Sequence, residues 1–198
     1  MCARRAPRHK VSRRFGIDVY GTGGEALQRR LSVPPGGVRG RRRETEYGRQ
    51  LREKQKVKAI YGVREEQFRR YVKTAQRSGE PMGQAVIELL ERRLDNVVYR
   101  LGFARTRLMA RQLINHGHIR IDGRRVKLGS YLVSPGERVS LESDARSIPG
   151  VEDEMKTRGP TVSWLQREDA VGVVKDRPVR GEIEHDIDES LIVAFYTR

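Results

Sequence analysis

The sequence predicts an α+β protein: an N-terminal helical domain, then a small unit in which two helices lead into an antiparallel sheet. Three observations carry this. Between positions 45 and 101 apolar residues recur three and four apart, the period of amphipathic helices. After Gly117 the period drops to two, with Ile119 and Ile121 alternating against polar residues. Asp122-Gly123 then supplies the dipeptide that two-residue hairpin turns favour.

Taken in order, residues 1–43 read as a basic arm. Gly21, Gly23, Gly24, the stretch 34–37 and the run 39–43 interrupt it. Its scattered apolar groups, such as Val11, Phe15, Val19 and Leu27, are too few for an independent core, so the arm is expected to be mobile until a partner orders it. Thr45 is placed to cap a first helix, in which Tyr47 and Leu51 share a face, as do Val57, Ile60 and Tyr61, and Gly62 is the stop. A second helix holds Phe68, Tyr71, Val72 and Ala75 and ends at Gly79. A third follows Pro81 and runs through Val86, Leu90, Leu94, Val97 and Leu101, with a bend or break expected near Arg93. Thr106 caps the next, which buries Ala110, Leu113 and Ile114 and ends at Gly117. Strands are expected around Ile119, Val126–Leu128, Tyr131–Val133 and Val139, with a turn at Pro135-Gly136. Further strand pieces surround Trp164 and Val171–Val174, and Leu191, Ile192, Phe195 and Tyr196 form a last helical stripe. The resulting division is 1–43 as arm, 44–91 as helical domain completed by helix 189–198, 92–156 as the small helix-and-sheet domain, and 157–188 as a strand-rich extension.

Charge narrows the function. The 198 residues carry a formal net charge of +15. Residues 1–58 hold 17 Lys and Arg against 5 Asp and Glu, residues 92–141 hold 11 against 3, and residues 142–198 hold 8 against 13. Two separate basic blocks are more than solubility requires, and self-repulsion of this size calls for a polyanion. Arginine dominates both blocks, and its planar fork grips phosphate oxygens in pairs. No run approaches the roughly 18 apolar residues of a membrane span. The N-terminus lacks the apolar core of a secretory signal; its Arg-rich, acid-poor character leaves a transit peptide as the alternative. Cys2 is the single cysteine, so neither an internal disulfide nor a multi-cysteine zinc cage can form.

Particular strings carry a resemblance. Residues 94–104 read LDNVVYRLGFA and 105–119 read RTRLMARQLINHGHI, followed by IDGRRV at 121–126 and PGE at 135–137. This run resembles the small RNA-binding domain named after ribosomal protein four. The flanks LREKQK at 51–56, IYG at 60–62, EQFR at 66–69 and FYTR at 195–198 resemble the ribosomal protein itself. The chain is thus identified as a member of the family of small-ribosomal-subunit protein four, bacterial or organellar. Many bacterial members carry four N-terminal cysteines for a metal. Here His9 and Ser12 stand nearest the first pair and residues 24–31 offer no second pair, so the resemblance is to the cysteine-free branch and no metal or cofactor is expected.

The resemblance implies a structural protein, not an enzyme. It implies early, direct binding of small-subunit rRNA, nucleation of the subunit body, and an influence on decoding accuracy. Contacts with small-subunit proteins five and twelve, and with mRNA near the channel by which it enters, follow from the same family, as does a place in a cytoplasmic or organellar ribosome with no membrane partner. Charge pattern and resemblance together select for RNA contact Arg41, Arg42, Arg43, Arg49, Arg52, Lys54, Lys56, Lys58, Arg69 and Arg70 in the first basic block and helices. In the second they select Arg100, Arg105, Arg107, Arg111, Gln112, His116, His118, Arg120, Arg124 and Arg125, with Tyr131 as the stacking candidate. Arg105, Arg107, Arg111, Arg124 and Arg125 are expected to form one patch.

Each feature has a plainer reading. A basic helix face is often only solvated, but two blocks holding nearly all the excess charge are poorly explained that way. His116 and His118 alone would more often be structural than catalytic. Arg93-Leu94-Asp95 matches the short catalytic-aspartate motif of pseudouridine synthases, which makes an RNA-modifying enzyme one alternative; a free-standing RNA-binding stress factor is the other. Against the enzyme, the three residues lie inside a helical segment and no base or orienting group can be placed beside Asp95.

Overall fold

A computed structural model describes residues 7–21, 23–37 and 44–197. In chain order the helices are α1 (Arg8–Phe15), α2 (Glu25–Gln28), α3 (Glu46–Ile60), α4 (Glu65–Ala75), α5 (Met82–Glu91), α6 (Leu94–Arg100) and α7 (Arg107–His116). Strands β1 (Ile119–Ile121), β2 (Arg124–Arg125) and β3 (Arg138–Leu141) follow, then α8 (Ser143–Arg146), α9 (Val151–Thr157), β4 (Leu165–Glu168), β5 (Val171–Val174), a 3-10 turn (Arg180–Glu182) and α10 (Glu189–Tyr196). The chain forms two compact units, one of Met1–Glu65 with Ile187–Arg198 and one of Glu66–Asp186.

In the first unit α10 lies along α3, and Val57, Ile60, Tyr61 and Ile192 are buried. Thr45 caps α3 by accepting the Gly48 N–H at 3.1 Å, as its position predicted. Asp188 caps α10 through the N–H groups of Ser190 and Leu191, and its own N–H donates to Glu53 at 3.0 Å. The described part of the basic arm makes local hydrogen bonds that its apolar content does not predict. The Asp18 carboxylate accepts the N–H groups of Tyr20, Gly21 and Gly23, and the Arg13 guanidinium donates to the carbonyls of Val33 and Pro34. Side chain to backbone bonds organise this segment, with Val19 and Leu27 as its buried anchors.

The second unit holds the larger core, built from Leu94, Val97, Val98, Phe103, Leu113, Ile114, Ile119, Val139, Trp164 and their neighbours. The break expected near Arg93 is there: α5 ends at Glu91, Arg93 is extended, and α6 starts at Leu94. The sheet is antiparallel throughout, in the order β2-β1-β3-β5-β4. The strand-rich stretch after 157 is therefore no separate extension. β5 pairs with β3 and covers an edge that would otherwise expose unpaired backbone groups. Gly172, opposite Val139 in the register, permits this, because a Cβ there would fall 2.4 Å from Leu101.

The strands expected at Val126–Leu128 and Tyr131–Val133 do not form. Their backbone bonds turn to the start of α6 instead: Leu94 N–H donates to the Tyr131 carbonyl, Asp95 N–H to that of Gly129, and Val133 N–H to that of Arg92. Two N–H groups at the start of α6, which the helix cannot satisfy internally, are thereby engaged, and Leu128 is left 60% exposed.

Candidate nucleic-acid interface

Helix α7 and the hairpin after it are positioned by three local devices. Thr106 caps α7 by accepting the Met109 N–H. Gly117 ends it in the left-handed region at φ 83°, where its own N–H and that of His118 close onto Ile114 and Leu113. Asp122 and Gly123, at φ 47° and 79°, form the tight turn between β1 and β2. Gly117 also lies under the hairpin, since a Cβ there would meet Arg125 Cδ at 3.0 Å and Lys127 Cε at 3.2 Å. The stems of Arg125 and Lys127 thus cross the C-terminal end of α7, close to His116 and His118. Arg105 is exposed just ahead of α7, and Gln112, His116, Arg124, Lys127 and Arg138 are exposed on the helix, the hairpin and β3. Arg120 and Arg125 share the Glu142 carboxylate, and His118 stands 3.6 Å from Asp144.

The predicted five-arginine patch is not assembled as expected. Arg105, Arg124 and Arg125 face solvent, but Arg107 and Arg111 turn inward. Arg111 is bound to Asp95, a carboxylate only 1% exposed that also takes both ends of the Arg93 fork. Arg107 donates to Asn96 at 2.8 Å and reaches Glu184 at 3.3 Å. Arg100 is 2% exposed and pairs with Glu91. Arg107 and Arg111 lie where α6 and α7 pack face to face, and Arg100 meets Glu91 at the end of α5; a guanidinium buried in either place must meet a carboxylate or amide. Tyr131, expected to stack on a base, is half-buried against the core. Its hydroxyl donates to Glu137, and that bond, with burial, raises its pKa.

The first basic block divides in the same way. Arg49 and Arg52 are exposed, and pair with Glu46 and Glu44. Lys54 is only 4% exposed; its ammonium lies 3.0 Å from Glu65 and 4.1 Å from the Phe195 ring centroid. Lys58 joins the same carboxylate at 2.6 Å, and Lys56 pairs with Glu53. Burial pushes the Glu65 carboxyl up, but the hydrogen bonds and charges of Lys58 and Lys54 outweigh it and hold the group at about 2. Arg69 and Arg70 are exposed on α4. Arg41, Arg42 and Arg43 lie outside the described residues.

This geometry can be set beside known proteins. Residues 3–91 match the ribosomal protein S4/S9 N-terminal domain and residues 92–139 the S4 domain. A small ribosomal subunit protein uS4 from Geobacillus sp. (strain WCH70) is 45% identical over 196 residues, covering 97% of both chains. Those of Herpetosiphon aurantiacus and Chloroflexus aurantiacus are each 46% identical, over 96% and 97% of both chains. The chain belongs to the uS4 family.

The boundary between the two uS4 domain matches falls at residues 91 and 92, where α5 ends and the chain extends through Arg93. The match to the S4 domain stops at 139, while the sheet it begins is completed only by β4 and β5. Two exposed cations of this uS4 hairpin region, Lys127 and Arg138, were not selected from the sequence. Their signal was available: Lys127 follows Arg125 at the spacing that returns a side chain to the same face of an extended chain. Arg138 pairs across β3 and β5 with Val173, and its N–H donates to Asp122.

Proposed function

We propose that this protein is a structural constituent of the small ribosomal subunit and binds its rRNA through Arg105 ahead of α7 and the exposed cations of the hairpin region, together with the arginines exposed on α3 and α4. The observation that carries the reading is the 45% identity to a small ribosomal subunit protein across 97% of the chain. Exposed Arg105, Arg124, Lys127 and Arg138 support the mode of contact. Such a surface neutralises phosphates and reads RNA by shape, with little base readout. In this proposal the protein binds rRNA early and nucleates the subunit body. It also touches small-subunit proteins five and twelve, lies near the channel by which mRNA enters, and so affects decoding accuracy.

A catalytic role has no support in the site. Asp95, the residue a uridine isomerase would need, is buried and held by two guanidiniums. No helix among the described residues is long and apolar enough to cross a membrane.

The test is chemical footprinting on small-subunit rRNA, with affinity followed across salt. Protection confined to a folded junction, and an affinity falling by orders of magnitude between about 50 and 200 mM salt, is the expected result. Affinity that stays flat with salt, or copurification with large subunits only, sinks the proposal.

A further inference from the structure

One polar system in the second unit has the form of an anion site that is already filled. Tyr99 is buried, and two guanidiniums lie against its ring, Arg107 at 4.4 Å and Arg158 at 4.6 Å from the centroid. Its hydroxyl donates to Glu184, 2.8 and 3.1 Å from the two carboxylate oxygens. Arg107 Nη2 is 3.3 Å from the same carboxylate and Arg100 Nη1 3.7 Å. Behind this front the groups are fixed. Arg107 Nε is bound to Asn96, Asn96 to Glu91, and Glu91 to two nitrogens of Arg100. Asn96, Glu91 and Arg100 are all buried.

Glu184 differs from Glu91, Asn96 and Arg100, which are buried. Its side chain is 36% exposed, and it stands on the irregular segment after the 3-10 turn rather than on a helix or strand. The cluster is therefore a rigid set of donors with one replaceable acceptor. Three guanidiniums face two carboxylates here, so removing Glu184 leaves an excess of two positive charges. A phosphodiester restores the single negative charge that Glu184 carries and presents more than one oxygen to the same donors.

We propose that Glu184 holds a phosphate site shut: its carboxylate occupies, on Arg107, Arg100 and the Tyr99 hydroxyl, the place that an RNA backbone phosphate takes when RNA binds. The proposal rests on the rRNA-binding reading above. It adds a contact that the inward turn of Arg107 conceals, and an exchange in which RNA gains one contact while the segment around Glu184 is released.

The full-length protein and its Glu184→Gln variant test this against a small-subunit rRNA fragment. Gln keeps the shape and removes the competing charge. Its affinity should rise by about tenfold, the low end for one charge-assisted hydrogen bond, and its salt slope should steepen by roughly one. Glu182→Gln is the control, because Glu182 sits two residues away and accepts the Ser163 N–H instead. An equal gain in that variant shows a general charge effect and overturns the proposal. In a second arm, inorganic phosphate is titrated against chloride at matched ionic strength, with the Arg107 Nε–H and Tyr99 ring signals followed by NMR. The Gln variant should respond, and wild type far less. A response to phosphate without a gain in rRNA affinity overturns the RNA assignment and leaves a small-anion site. Unchanged affinity and slope in the Gln variant, while wild type still binds rRNA, overturns the exchange alone. Failure of wild type to bind rRNA overturns both readings.

Discussion

In α7 the arginines Arg107 and Arg111 turn inward onto Asn96, Glu184 and Asp95, whereas in the hairpin that follows Arg124 and Lys127 reach solvent. Both segments belong to one basic block, and nothing in their local composition separates them. The difference lies in what each packs against. Helix α7 lies on α6, whose first turn carries Asp95, so its cations meet a fixed carboxylate. Strand β2 sits at the outer edge of the sheet, and its side chains are exposed. Arginine in this protein thus has two uses: it joins α7 to α6, and it forms the solvent-facing cationic surface around the hairpin.

The strongest break of this comparison is at Asp95. Its removal leaves Arg93 inside the core without its carboxylate and takes the partner from Arg111 as well. Asp95→Ala should therefore destabilise the protein by about 3–5 kcal/mol, the range for breaking a buried ion pair on one side. Urea denaturation followed by far-UV circular dichroism measures it. A loss below about 0.5 kcal/mol, the level of an ordinary surface change, would mean that the α6–α7 ion pairs are not structural.

The hairpin should answer in the opposite sense. Arg124→Ala and Lys127→Ala remove exposed side chains, so each should alter stability by no more than about 0.5 kcal/mol. Each should lower the salt slope of rRNA binding by roughly one for a lost phosphate contact. If Arg124→Ala unfolds the protein, or both variants bind with the wild-type slope, the division of labour between α7 and the hairpin is wrong.

The order of helices and strands was legible because it rests on local signals. Thr45, Thr106, Gly117 and Asp122-Gly123 each act within a few residues, and each stands where its chemistry predicts. The break expected near Arg93 also stands where it was placed. The use of the charges was not. Asp95 lies 16 residues from Arg111 and Glu184 lies 77 from Arg107, and no periodicity links positions so far apart. The same limit explains the strands expected at Val126–Leu128 and Tyr131–Val133. Alternation suggested a ladder, but the backbone partners lie at the start of α6, about 35 residues earlier in the chain. β5 was foreseen as a strand, while its place beside β3 depended on Gly172 admitting Leu101.

The smallest effect expected is in the first unit, where α3 repeats the contrast with lysine. Arg49 and Arg52 are exposed, while Lys54 and Lys58 converge on Glu65, to which the Tyr196 hydroxyl also donates. Glu65 is held at about 2 in the folded protein against 4.5 ordinarily. A carboxyl whose folded pKa is depressed gives stability that is fully present above its unfolded pKa and lost as the pH falls through the folded one. The contribution of Glu65 should therefore be constant at neutral pH and decline from about 4.5 down towards 2. Because the group is about one-third exposed, solvent screening reduces its weight, and the change should be smaller than that at Asp95. Carboxyl NMR titration checks the cause directly. The Glu65 midpoint should stand near 2 in wild type and move towards 4.5 in Lys58→Met, which removes the shorter of the two ion pairs. A midpoint that does not move would show that Lys58 contributes nothing to holding Glu65 ionised, and would return that lysine to the set free to meet RNA.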